Sequence, residues 1–532
     1  MAAGFPGLTR RSTVALGSDN PGDAAPVRCR TVSPMSATTH DPDSADVRAP
    51  DSSGRRLISG RRIALILVLL TVVLRLPAFL SSRHLVFDDG TYGLSVLDMR
   101  HGLAPYRGVF SAQGPLHFSL LYVGDLLGFR TIDAPRVAPM LAGIAATIAT
   151  WAIGRRLAGS TAGLIAGVLV ATSGSMIWTT GQITGDGMAS ALAVCAVWAA
   201  VAYRDNPRLR NALVTGAVMG AALAVKPLIL PAAIPVGWWL WSRRRGDHLA
   251  AAVGAAIAVW LVSALPWGLG NVWDQSVAYN GGAGPRYGKV SQLRKLSSTL
   301  SSRDLLVVGA VLFTLGATIA IALWARRGDG SEAAGGGAGI RPLTASRSDI
   351  AVIAIWSVVM ALVLVFEPAL YRNHFATIIP PLALLAAVLV RTPRILVIVL
   401  LLLIPFSINN LHDILWPTGY RGASAELMTR LRALPRNAQV ISDEPGFVYR
   451  ANLRTPRLLN DPSVKRIDQH LLTTEMIASA VRDHAVCAVV VWSPRFGRDL
   501  PGLPAALRAG GLEVAQRWSG NRALWLRPTC TP

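Results

Sequence analysis

Apolar runs recur along the chain at nearly the length of a bilayer crossing, and short arginine clusters separate them. Ile63–Leu80 and Ile395–Ile408 are the clearest, close to the roughly 18–20 apolar residues that a hydrocarbon core requires. Dividing the chain at the clusters predicts about eleven spans. They lie near 63–80, 135–154, 161–179, 187–203, 211–225, 227–241, 249–266, 304–324, 350–366, 375–390 and 395–410. Pro115–Phe129 is apolar but short, and it carries His117 and Asp125. A crossing there would move Arg155 and Arg156 to the wrong side, so it reads as an interfacial or re-entrant helix.

The flanking segments have other textures. Residues 1–60, rich in Ser, Pro, Asp and Arg, read as a disordered cytoplasmic tail. The first apolar run lies too deep for a cleavable signal peptide. Gly328–Ser348 is Gly-rich and reads as a flexible cytoplasmic linker. Beyond residue 411 hydropathy falls. Gln439–Ser442 and Cys487–Trp492 read as buried strands, Gly422–Leu434 and Leu472–His484 as helices, and Leu512–Trp518 with Arg522–Arg527 as a hairpin. The predicted fold is a polytopic α-helical membrane protein over 61–410, its first external loop at 81–134, followed by a small α/β domain over 411–532.

Composition supports the membrane reading. Of 532 residues, 52% are hydrophobic and only 15% charged, where a soluble protein carries about 25% charged; mean hydropathy is +0.42. An ordinary cytosolic enzyme, a disordered protein and a disulfide scaffold are excluded. The net charge of +22 would suggest nucleic acid if it formed one patch. It sits instead in clusters such as Arg155–Arg156, Arg243–Arg245 and Arg326–Arg327, which is how topology is written. No nucleic-acid partner is expected. With the N-terminus inside, every cluster is cytoplasmic. Asp88–Arg136, Asp186, Lys226, Pro266–Arg303, Glu367–His374 and the last domain then lie outside a plasma membrane. Only four of the 52 basic residues are lysine, a hint of a GC-rich bacterial genome. Cys29, Cys195, Cys487 and Cys530 have no metal-ligand spacing; Cys487 and Cys530 would pair if both face an oxidising compartment.

Chemistry concentrates on the external side. Phe87-Asp88-Asp89-Gly90-Thr91-Tyr92 follows the first span. Adjacent carboxylates repel, so they have a task or a partner. One of them can serve as general base toward an acceptor hydroxyl; the bland alternative is helix capping, which suits Asp89. Arg136, Lys226 and Arg372 lie at or inside span ends, where an ionisable group is costly and marks a site by default. Cations there suit a phosphate leaving group, against the alternative of snorkelling to headgroups. Asp186, at a helix start, is either a cap or a pocket residue. Tyr92, Gln113 and His117 are further candidates for binding in the first loop. Neither His117 nor His374 has a second ligand at metal spacing, so no metal or other cofactor is expected. Arg75, inside the first span, either snorkels or pairs structurally.

These residues fall in a recognisable order. Asp88-Asp89-Gly-Thr-Tyr92, His101-Gly102-Leu-Ala-Pro105-Tyr106, Phe110, Gly114-Pro115-Leu116, Gly128 and Arg136 resemble the first external loop of the GT-C glycosyltransferases. The nearest branch is that of the protein O-mannosyltransferases and aminoarabinose transferases. The likeness continues through Gly159-Ser-Thr-Ala-Gly163, Asp186, Lys226 and Arg372-Asn373-His374-Phe375. It implies an inverting membrane transferase with a polyprenyl-phosphate sugar as donor and an envelope glycan, lipid or protein as acceptor. Asp88 would be the base, and Arg136 and Lys226 would hold the lipid phosphate. The family's second acidic residue is usually Glu; here it is Asp89, one methylene shorter. Asp443-Glu444-Pro445 reads as a strand-ending turn. A lipid-sugar flippase is the alternative from another class, but no inverted repeat with paired broken helices is visible. A scaffold protein would leave Asp88, Asp89 and Lys226 unexplained.

Overall fold

The computed structural model describes residues 60–80, 87–282, 284, 288–326, 345–416 and 419–530. The expected tail over 1–60 and the Gly328–Ser348 linker lie almost wholly outside the described residues, as does Cys29. Ile58–Pro532 forms one compact unit.

Among the described residues, seven helices are long and apolar enough to cross a membrane. They are Gly60–Leu80, Ala134–Thr172, Gly185–Asp205, Gly246–Trp267, Leu305–Trp324, Arg347–Phe366 and Pro393–Asn410. Several expected spans take another form. In chain order the first elements are α1 (Gly60–Leu80), α2 (Phe87–Arg100), α3 (His117–Leu127), α4 (Val137–Thr172), α5 (Gly174–Gly181), α6 (Gly185–Asp205), α7 (Leu209–Val225), α8 (Ala233–Trp241) and α9 (Gly246–Ala264). The spans expected at 135–154 and 161–179 are the halves of α4 followed by α5. The break falls at Ala158 and Gly159, where Gly159 adopts φ +84°, a conformation that costs glycine least. The spans at 211–225 and 227–241 are shorter: α7, then a 3₁₀ turn into α8. Pro227 sets that division, because it forces Lys226 into an extended conformation (φ −157°, ψ 119°). At 375–390 a 3₁₀ turn precedes a ten-residue helix, Ile379–Val388. Nearly all of it is buried among the other helices, whereas Pro393–Asn410 is mostly exposed. Of the two readings of Arg75, snorkelling does not occur: the side chain is fully buried, donating to the hydroxyl of Thr180 and the carbonyls of Thr71 and Ala171.

The last 120 residues carry a four-stranded sheet of order β1-β2-β4-β3, with β1 (Gln439–Ser442) parallel to β2 (Val486–Val491). β3 (Glu513–Arg517) and β4 (Ala523–Leu526) form the antiparallel hairpin. Both faces of β2 are buried, which explains its unbroken apolar run. Val489 and Val491 pack with Ile477, Val481 and Leu507 of the helices Thr474–Val481 and Leu503–Ala509. Ala488 and Val490, on the other face, join the main core through Phe447 and Tyr449. A disulfide joins Cys487 to Cys530.

The contact that matters most for the site is between α2 and the short helix Pro445–Arg450. Gly90 and Gly93 lie three apart and so share one face of α2. A Cβ on Gly90 would collide with the Gly446 backbone, and one on Gly93 with the Tyr449 ring. We expect Gly90→Ala to destabilise the protein by more than about 2 kcal/mol, as overpacking against backbone does. Gly254→Ala on α9, where nothing lies within 4 Å of the added carbon, should be neutral or slightly stabilising. Thermal unfolding of the purified variants checks both.

Candidate active site

The Asp88-Asp89 pair opens α2, where helix geometry turns successive side chains roughly 100° apart. The two carboxylates consequently face different surroundings. Asp89 points into the protein and is 1% exposed. Its Oδ1 accepts from Arg136 Nε at 3.1 Å and from the Ile183 amide at 2.9 Å. Its Oδ2 accepts from Arg136 Nη2 at 2.6 Å and from Arg450 Nη2 at 3.1 Å. Arg136 also donates to the carbonyls of Ala78 and Phe79, and Arg450 pairs with Asp133 at 2.6 Å. Burial alone would raise the Asp89 carboxyl; Arg136 and Arg450 outweigh it and hold it down at about 2. Two expectations are corrected here. Asp89 is neither a helix cap nor a wall of the cavity, and Arg136 is engaged by Asp89 and carbonyls rather than turned toward a phosphate site. A buried carboxylate requires such cations.

Asp88 faces a cavity of about 700 Å³. Its Oδ2 accepts from the amide of Asn373, whose Oδ1 in turn accepts from Trp178 Nε1 at 2.9 Å, so the amide is fixed from both ends. Burial, with Asp186 and Asp461 nearby, raises the Asp88 carboxyl to about 6 against the opposing pull of Lys226 and Asn373. Tyr92, one turn along the same face, lines the cavity as well. Its hydroxyl accepts from the Gln113 amide, and burial lifts it well above the usual phenol range. His117 does not line the cavity. It lies fully buried behind Tyr92, ring centroids 4.7 Å apart, and burial keeps it neutral by pulling it to about 3.

The break that Pro227 imposes after α7 turns Lys226 inward. Its Nζ donates to Asp186 Oδ1 at 2.7 Å, at the first turn of α6, and both residues line the cavity. Arg372 also lines it, with no carboxylate partner among the described residues. The structure thus brings Asp88, Tyr92, Gln113, Asp186, Lys226 and Arg372 together and leaves Asp89, Arg136 and His117 behind the wall. Among the described residues no group of three or more His, Cys, Asp or Glu is placed to hold a metal ion.

Further residues of the cavity went unread in the sequence. Lys295 donates to the Leu370 carbonyl at 2.5 Å. Asp461, Lys465 and Arg495 enter from the C-terminal region. Arg495 lies 4.3 Å over the Phe87 ring and pairs with Glu444. The rarity of lysine was the usable signal. Where arginine is the default base, each lysine is conspicuous, and three of the four line this cavity.

Residues 113–267 match the family model described as dolichyl-phosphate-mannose-protein mannosyltransferase. In structure the chain is similar to ArnT from Cupriavidus metallidurans in the apo state, 15% identical, with a TM-score of 0.60 over 88% of this chain and 98% of that one. It is equally similar to the same protein bound to undecaprenyl phosphate, 14% identical, TM-score 0.60, over the same shares. No curated protein matches the sequence. The likeness to the GT-C glycosyltransferases drawn from the first external loop therefore holds in sequence over 113–267 and in fold over most of the chain.

The two neighbouring carboxylates should respond oppositely to neutralisation. Asp89→Asn leaves Arg136 and Arg450 buried without their counter-charge and should cost about 3–5 kcal/mol. Asp88→Asn removes a charge that folding raises in pKa, so stability near pH 7 should be unchanged or slightly higher. Parallel melting curves check the signs.

Proposed function

We propose that the protein is an integral membrane glycosyltransferase. It moves a sugar from a polyprenyl-phosphate donor to an acceptor hydroxyl on the non-cytoplasmic side, with inversion, and Asp88 is the general base. One observation carries this reading: the Asp88 carboxylate, held by Asn373 and raised to about 6, faces a cavity that also holds cations. A base poised near the working pH is what proton removal from a hydroxyl requires. As the acceptor oxygen attacks the anomeric carbon, its proton passes to Asp88. The bond from that carbon to the phosphate oxygen breaks, and the electron pair leaves with the phosphate.

Lys295 and Arg372 are the cations best suited to that developing charge. Lys226 is already paired with Asp186, and Arg136 is engaged behind the wall. A fixed cation at a leaving phosphate is worth several kcal/mol in a site poor in water. The family model and the undecaprenyl phosphate bound by ArnT support the donor class; the sugar is left open.

The same reading takes the chain across a plasma membrane eleven times. These crossings are the seven long helices, the second half of α4 with α5, α7, the 3₁₀ turn with α8, and Ile379–Val388. The N-terminus is then cytoplasmic and the domain 411–532 extracytoplasmic. The Cys487–Cys530 disulfide supports that side, since such bonds persist in oxidising compartments.

The test offers a panel of polyprenyl-phosphate sugars to the full chain in lipid and follows release of free polyprenyl phosphate. Release from one donor is expected. Asp88→Asn should lower kcat by about 10²–10⁴ with donor binding intact. The base acts as carboxylate, so wild-type turnover should fall as pH drops through about 6. Wild-type turnover in Asp88→Asn would remove the assignment. Transport of intact donor across vesicles without release would replace the enzyme with a flippase.

A further inference from the structure

The C-terminal region supplies part of the cavity wall, and the turn Asp461–Lys465 is its core. Asp461 is only 6% exposed, yet it lines the cavity. Its Oδ1 accepts from the Ser463 amide at 2.9 Å, and no cation lies within ion-pair distance among the described residues. Arg466, close in sequence, donates instead to the carbonyls of Leu458, Asp461 and Leu471. Burying a carboxylate with no ion-paired cation, where its charge also opposes that of Asp88, is unfavourable. Ser463 and the charges of Arg466 and Arg495 offset part of that cost; a ligand hydroxyl at the carboxylate, which lines the cavity, would offset more.

The neighbours of Asp461 fit the same ligand. Ser463 Oγ lies 3.2 Å from the Tyr279 hydroxyl. Lys465 Nζ donates to Asn280 Oδ1 at 2.7 Å, above the Tyr279 ring at 4.6 Å. It faces Glu367 across the cavity without forming an ion pair. Within one turn the wall therefore offers a carboxylate, a hydroxyl and an ammonium, with an amide and an aromatic ring beside them. Such a set matches a polyhydroxylated ring better than an acyl chain. The charge of Asp461 bears on Asp88 and Tyr92, and all three residues line the same cavity.

We infer that Asp461 and Lys465 bind a saccharide acceptor and present its hydroxyl to Asp88. The inference rests on the glycosyl-transfer reading for the word acceptor, and on the cavity alone for the word saccharide. The test uses the full chain in lipid nanodiscs, with saturation-transfer NMR against methyl glycosides and short oligosaccharides, which needs no turnover. Asp461→Asn keeps an oxygen for the Ser463 amide and removes only the charge. It should weaken saccharide binding at least tenfold while undecaprenyl phosphate binding stays within twofold of wild type. Lys465→Gln should weaken it in the same sense and carries the test if Asp461→Asn does not fold. Unchanged saccharide binding in the variants, no saccharide binding by wild type, or preference for hydroxyl-bearing peptides would each overturn the inference. Saccharide binding that depends on Asp461, with no polyprenyl phosphate released from any donor, would sink the transferase reading and leave the saccharide site standing.

Discussion

A carboxylate with no access to water governs this molecule. Asp89 accepts from two guanidinium groups and one amide, and these come from the start of α4, the loop before α6 and a helix more than three hundred residues away. None of these charges could be buried alone, since each would cost several kcal/mol unpaired. Together they fix the end of α1, the first turn of α2 and the C-terminal region in one arrangement. The orientation of Asp88 is a by-product of that arrangement. With Asp89 locked inward, helix periodicity leaves Asp88 no direction but the cavity.

The cavity itself is made of interruptions. Pro227 breaks the apolar run after α7 and drops Lys226 inside. The 3₁₀ turn at Arg372–Thr377 brings Asn373 to Asp88. An uninterrupted span would present only lipid-facing or core side chains at these points. Backbone irregularity is tolerated at membrane depth where it lines a water-filled or protein-lined space, and the polar residues follow the irregularity.

Much of this was legible from order alone. The apolar runs, the arginine clusters and the short strands after residue 411 specify their elements locally, so the seven long helices and the β3–β4 hairpin lie close to where the pattern puts them, while the other expected spans are shortened or broken. The first loop was legible as a candidate site because two adjacent carboxylates are anomalous in any context. The role of each member was not. Arg136 and Lys226 look alike in sequence, a cation at a span end, and only packing reveals that one meets Asp89 in the core and the other Asp186 at the cavity wall. Asp461 and Arg495 were invisible for a different reason. They belong to a region with a soluble texture, where charged residues are ordinary, and the topology that brings them to α2 joins positions far apart in the chain. Lysine scarcity offered a way past that barrier for Lys295 and Lys465 alone, because a compositional bias ignores distance along the chain.

The pairing of Asp89 with Arg450 also sets the order in which the protein can be made. Synthesis delivers α2 and the start of α4 early, and Arg450 only after all the long apolar helices. Until then the Asp89–Arg136 pair lacks its second guanidinium, and the glycine face of α2 has nothing seated against it. The chain therefore carries its own completion check. A truncated or stalled polypeptide inserts its helices yet presents an unsealed first loop, a form open to proteolysis. The cavity wall would be complete only in molecules whose last quarter had folded back onto the first.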